Sequence, residues 1–146
     1  GDGRFDNEAL LVTPGIAPPK DLRSPIVADF DRDGHVDILY SGLYKNTPVA
    51  DSSPPTMGVF LFRGDARGRF VTPGVRVAKL PLPLINPSST TAGDIDGDGD
   101  LDVWITQYKD PYEQGSMPTP FHDANDAHPS YHLVNRGDGT FDDATE

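Results

Sequence analysis

The chain has 146 residues, a formal net charge of −11, no cysteine, 15 glycines and 15 prolines. The length suffices for a domain with its own core, and the acidic balance disfavours nucleic acid and anionic membrane surfaces, which need basic groups. Disulfides and thiolate metal sites are excluded, no apolar run approaches the roughly 18 residues of a membrane span, and the proline clusters Pro18-Pro19 and Pro54-Pro55 interrupt any long helix, which leaves an all-β chain.

Residues Arg4 to Val12 read as the fourth strand of a preceding unit, and 1–20 as that strand with a linker. A first unit spans 21–85. Its strands are expected at Ile26 to Phe30, Val36 to Leu43, Gly58 to Arg63 and Phe70 to Lys79. A second unit spans 86–146, with strands at Thr90 to Ile95, Leu101 to Tyr108 and Tyr131 to Asn135, and a last strand beginning at Phe141. Two motifs impose this division. An Asp-rich stretch starts at Asp29 and again at Asp94, 65 residues later, each time followed by an apolar run. A Gly-Asp turn ending in Phe occurs at Gly1 to Phe5, Arg63 to Phe70 and Asn135 to Phe141, and glycine there permits the positive φ of a hairpin. Repeated four-stranded antiparallel units describe propeller blades, here two complete blades and one strand of a third. Two blades do not close a ring, so further blades or neighbouring subunits are expected to complete the sheet.

Alternate residues of an extended segment share a side, so Asp94, Asp96, Asp98, Asp100 and Asp102 would crowd like charges together. A hard divalent cation relieves this, and Ca²⁺ accepts six to eight oxygens in a flexible shell, whereas Mg²⁺ tends to keep its waters. Loop positions 1, 3, 5 and 9 offer Asp29, Asp31, Asp33 and Asp37, then Asp94, Asp96, Asp98 and Asp102. Position 7, His35 or Asp100, offers its backbone carbonyl, and Gly34 and Gly99 allow the turn. Two calcium ions are thus expected, the second loop binding more tightly because Arg32 and His35 dilute the first. An EF-hand needs an acid at position 12, where this chain has Tyr40 and Ile105. The plainer alternative is a pair of acidic turns in which Asp is favoured for local hydrogen bonding.

These Asp-x-Asp-x-Asp-Gly-x-x-Asp loops, each leading into an apolar strand, resemble FG-GAP or VCBS repeats, the blades of the integrin α-subunit propeller. The segment from Tyr131 to Glu146 is similar to proteins with this propeller beside an ASPIC/UnbV domain, cartilage acidic proteins among them. The resemblance implies calcium in both loops, a secreted, cell-surface or periplasmic setting, and a role in adhesion or assembly.

The insertion at 107–131 is long enough to suggest function. Its His122, Asp123, Asp126 and His128, with His132, could form a transition-metal site, or else an ordinary polar loop. Tyr108, Tyr112, Phe121 and Tyr131 could offer aromatic faces to a sugar or peptide, or pack the loop down. Trp104, set against Tyr40 as its counterpart, is expected in the core between units. Arg63-Gly64-Asp65 and Arg136-Gly137-Asp138 read as turn chemistry rather than as adhesion tripeptides. No catalytic residue is assigned. The expected function is a calcium-binding structural, adhesive or assembly module with a protein or glycan partner; the alternatives are a carbohydrate-binding propeller and part of a propeller enzyme.

Overall fold

In β2 (Asp37–Tyr44) and β3 (Thr56–Phe62) apolar residues run on without alternation, the pattern of strands covered on both faces. The computed structural model describes residues 21–44, 56–70, 74–82, 84–108 and 128–145. Among these there is no helix. β1 (Asp21–Ala28), β2, β3 and β4 (Val75–Arg76) form one antiparallel four-stranded sheet in chain order. A second antiparallel sheet repeats that order with β5 (Pro87–Gly93), β6 (Asp102–Gln107), β7 (Tyr131–Asn135) and β8 (Phe141–Asp143).

The period of two decides which side chains meet. Leu39, Val59 and Leu61 leave one face of the first sheet and pack with Val103, Ile105, Tyr131 and Leu133 of the second. Phe30, Val77, Leu84 and Phe141 join the same core. Each fully buried side chain of this kind stabilises the fold by roughly 1.5–3 kcal/mol. The opposite face of the first sheet gathers Tyr40, Phe60, Phe62 and Phe70. There the Tyr40 ring stacks on Phe60 and Phe62 with centroids 5.6 and 5.5 Å away.

The expected all-β, four-stranded organisation is present, with altered limits. The first strand starts earlier, at Asp21, and absorbs Pro25 through a bulge in which Ser24 takes φ 46°. The first strand of the second sheet likewise starts earlier, at Pro87, with its own register shift before Ser89. Of the expected strand from Phe70 to Lys79, the described residues form β4 at Val75–Arg76 and an isolated Gly64–Phe70 bridge, while Ala78 bridges Phe141 of the second sheet instead; residues 71–73 lie outside the described residues. Trp104 is not core. It is 45% exposed, and the register that pairs Tyr40 with Phe60 pairs Ile105, not Trp104, with Tyr131. Trp104 matches Leu39 in register, one residue away from Tyr40 and so on the other face; the second sheet covers Leu39, whereas no sheet among the described residues covers Trp104. Tyr131 offers no open aromatic face either: it is buried, and its hydroxyl donates to the Leu82 carbonyl at 2.9 Å.

The Arg63-Gly64-Asp65 segment is a turn. Asp65 accepts the N–H groups of Arg67 and Arg69 and pairs with the Arg69 guanidinium at 2.6 Å. That arginine holds the Asp65 carboxyl down at about 2. A depressed folded-state value favours the fold above the ordinary carboxylate range and loses that contribution as pH falls through it towards 2. A carbon-13 NMR titration is expected to place the Asp65 midpoint near 2, and Arg69→Gln to move it up. Gly64 packs closely: a Cβ there would lie 2.0 Å from the Val36 carbonyl oxygen. Gly64→Ala is expected to cost about 3 kcal/mol or more in urea unfolding, since backbone must move to admit the methyl.

Candidate metal centre

Each Asp-rich loop joins the first two strands of its sheet and is built largely from its own carboxylates. In the first, Asp29 Oδ2 accepts Gly34 N–H at 3.0 Å, Asp31 Oδ1 accepts Asp33 N–H at 3.3 Å, and Asp33 Oδ1 accepts His35 N–H at 2.8 Å. The second repeats the pattern: Asp94 Oδ2 accepts Gly99 N–H at 3.1 Å, Asp96 Oδ1 accepts Asp98 N–H at 3.1 Å, and Asp98 Oδ1 accepts Asp100 N–H at 2.8 Å. These are the local turns that short acidic side chains favour. The backbone turns left-handed at positions 4 and 6 of both loops. Glycine serves at Gly34, Gly97 and Gly99, but Arg32 takes φ 60° without that freedom.

The ninth-position carboxylates are buried at 0% exposure. Asp37 accepts Phe30 N–H at 3.0 Å on one oxygen and Gly64 N–H at 2.8 Å on the other. Asp102 accepts Ile95 N–H at 2.9 Å and Asn135 N–H at 2.9 Å in the same way. Each therefore ties the start of its loop to the end of the third strand of its sheet. Burial pushes the Asp37 carboxyl above its ordinary range against those two donors, and the charges of Asp31 and Asp33 add to the rise. For Asp96 the largest single influence, the Asp98 N–H, lowers the carboxyl. Partial desolvation and the charges of Asp98 and Asp102 outweigh it, and the net direction is upward.

Positions 1, 3 and 9 converge. Asp29, Asp31 and Asp37 place one carboxylate oxygen each within 4.8 Å of one another, and so do Asp94, Asp96 and Asp102. Asp29 Oδ1 is buried with no hydrogen-bond partner. Asp33 and Asp98 lie outside these clusters, engaged with the N–H groups of His35 and Asp100. The Asp100 side chain, 6% exposed, turns instead to Arg32 of the first loop, its Oδ1 2.9 Å from Nε.

Sequence reasoning missed the groups that tie the first loop to the second unit. Arg63 Nη1 pairs with Asp31 Oδ2 at 2.7 Å while Nη2 donates to the Asp138 carbonyl at 2.7 Å. Asn135 Nδ2 donates to the Phe30 carbonyl at 2.9 Å and the Leu101 carbonyl at 3.2 Å. The available signal was a departure between the units, Arg63-Gly64 in one and Val134-Asn135 in the other.

Of the other expected residues, Tyr112, Phe121, His122, Asp123 and Asp126 lie outside the described residues. Tyr108 is 52% exposed and His128 half-buried. No histidine joins a cluster of metal-ligating groups among the described residues. His132 instead lies beside Trp104, ring centroids 5.6 Å apart, on a cavity of about 580 Å³ that Pro129, Ser130, Ala144 and Thr145 also line.

No protein-family model, curated protein or solved structure matches the chain.

An asparagine in place of Asp37 or Asp102 keeps one accepting oxygen and turns an NH₂ towards the other backbone N–H. Urea unfolding in chelator is expected to show a loss of about 2–4 kcal/mol for Asp37→Asn and for Asp102→Asn, the cost of leaving a buried donor unmet. Asp33→Asn should change stability by no more than about 0.5 kcal/mol.

Proposed function

We propose that the chain is a calcium-binding module of an extracellular, cell-surface or periplasmic β-propeller, with a structural role in adhesion or assembly. The observation that carries this reading is the convergence of the carboxylates at positions 1, 3 and 9 in both loops. Three clustered anionic oxygens, beside an Asp29 oxygen without a hydrogen-bond partner, suit a hard cation with oxygen ligands. Asp29, Asp31 and Asp37 would hold one ion, and Asp94, Asp96 and Asp102 the other. Each ion would neutralise carboxylates that otherwise repel, so the folded loop gains by linkage.

The packing of the sheets favours a propeller. Their first strands lie side by side, with Ser24 Oγ donating to the Ser88 carbonyl at 3.2 Å and Arg23 to Asn86. The face of the first sheet bearing Leu39 and Leu61 is covered by the second sheet. The register places Trp104 and His132 on the corresponding face of that second sheet, where Trp104 is 45% exposed. A further sheet of the same kind, from this polypeptide or a neighbouring subunit, would cover it. The same exposed tryptophan and cavity also favour a second reading, a glycan stacked on Trp104, and a glycan array with Trp104→Ala separates the two.

Thermal melting in calcium and in chelator tests the principal reading. Calcium at about 100 times its dissociation constant should add about 2.7 kcal/mol per site, visible as a higher midpoint. An unchanged midpoint would refute calcium binding. Asp96→Asn is expected to reduce the calcium-dependent shift more than Asp31→Asn.

A further inference from the structure

The two loops differ in one respect that their shared pattern hides. In the first, a cation of the protein's own already sits on the cluster: Arg63 Nη1 lies 2.7 Å from Asp31 Oδ2, and the Asp31 side chain is only 6% exposed. The second nitrogen of that guanidinium reaches the Asp138 carbonyl at 2.7 Å, in the turn before β8. In the second loop Arg32 pairs with Asp100, outside the cluster, and among the described residues no guanidinium sits on the cluster itself. Asp37 accepts Gly64 N–H and Asp102 accepts Asn135 N–H, so the residue equivalent to Arg63 is Val134. No basic side chain pairs with Asp94, Asp96 or Asp102 among the described residues.

We infer that Arg63 is a built-in competitor of the metal ion, closing the first loop with a guanidinium and leaving the second loop to depend on a divalent cation. This rests on the reading that the loops take calcium. An incoming ion at the first loop must displace Arg63 from Asp31, whereas at the second it meets carboxylates with no basic partner among the described residues. The arginine is 44% exposed, so it can swing into solvent, and its competition is of moderate strength. The first loop then stays partly neutralised where calcium is scarce, and the second responds to calcium at lower concentration.

Calorimetric titration of the whole chain with calcium chloride tests this. Wild type should show one tight and one weak site, and Asp96→Asn should remove the tight one. In that Asp96→Asn chain, Arg63→Gln is expected to tighten the remaining site by roughly five- to tenfold, with Arg63→Lys in between. An unchanged or weaker remaining site overturns the inference and leaves the calcium reading standing. Absence of calcium binding in wild type and in Arg63→Gln overturns both. Binding confined to Arg63→Gln supports the arginine's role and removes the second loop as a site. Should Arg63→Gln fail to fold, the Arg63 guanidinium NMR signal in the Asp96→Asn chain decides: it should shift as calcium saturates the first loop, and a fixed signal overturns the inference.

Discussion

Both acidic clusters hang from two buried carboxylates. Asp37 and Asp102 each accept one backbone N–H at the start of the loop and one at the end of a distant strand, Gly64 in one sheet and Asn135 in the other. A hydrogen bond to a charged acceptor contributes roughly 1.5–3 kcal/mol. Here two of them share one carboxylate in a site closed to water. The loop cannot drift from the strand without leaving a buried charge unmet, which costs far more than the bond itself. The same carboxylates are the fixed members of the acidic clusters, so the interaction that shapes the turn also sets where a cation would sit.

From that anchor the remaining geometry follows. Once Asp37 and Asp102 pin the second strand to the third, the alternation of β2, β3, β6 and β7 determines which residues meet between the sheets. Leu39 and Leu61 face inward from one sheet, Ile105 and Leu133 from the other. Cross-ties near the loops, Arg32 to Asp100, Arg63 to the Asp138 carbonyl and Asn135 to Phe30, then join the two sheets at the end where the acidic residues collect. A chain with a large negative charge thus places several of its arginines where that charge is densest.

Much of this was legible in the residues, and the failures have physical causes. The Asp spacing at Asp29 to Asp37 and Asp94 to Asp102 marked both loops, and the strand at Tyr131 to Asn135 was read with its observed limits. Trp104 matches Leu39 rather than Tyr40 in register, and it is exposed because that face of the second sheet has no sheet packed on it among the described residues, a fact no strand pattern carries. After β4 the chain turns to the second sheet, where Ala78 bridges Phe141, a distant pairing that no local propensity encodes. The roles of Asp33 and Asp98 were harder to foresee: a spacing suited to a ligand also suits a turn that consumes the same oxygen locally. Arg63 and Asn135 could not be placed at all, since their partners lie 32 and 105 residues away along the chain.

The bond from Asn135 to the Phe30 carbonyl gives the pair of sheets a polarity. It runs from the second sheet to the first, and the position matching Asn135 in the first sheet is Gly64, which has no side chain to send in the other direction. A chain assembled from two copies of the first sheet's sequence would keep the turns and the buried carboxylates yet lose this tie. The two halves are therefore not interchangeable modules, and their order of succession is written partly in a single amide.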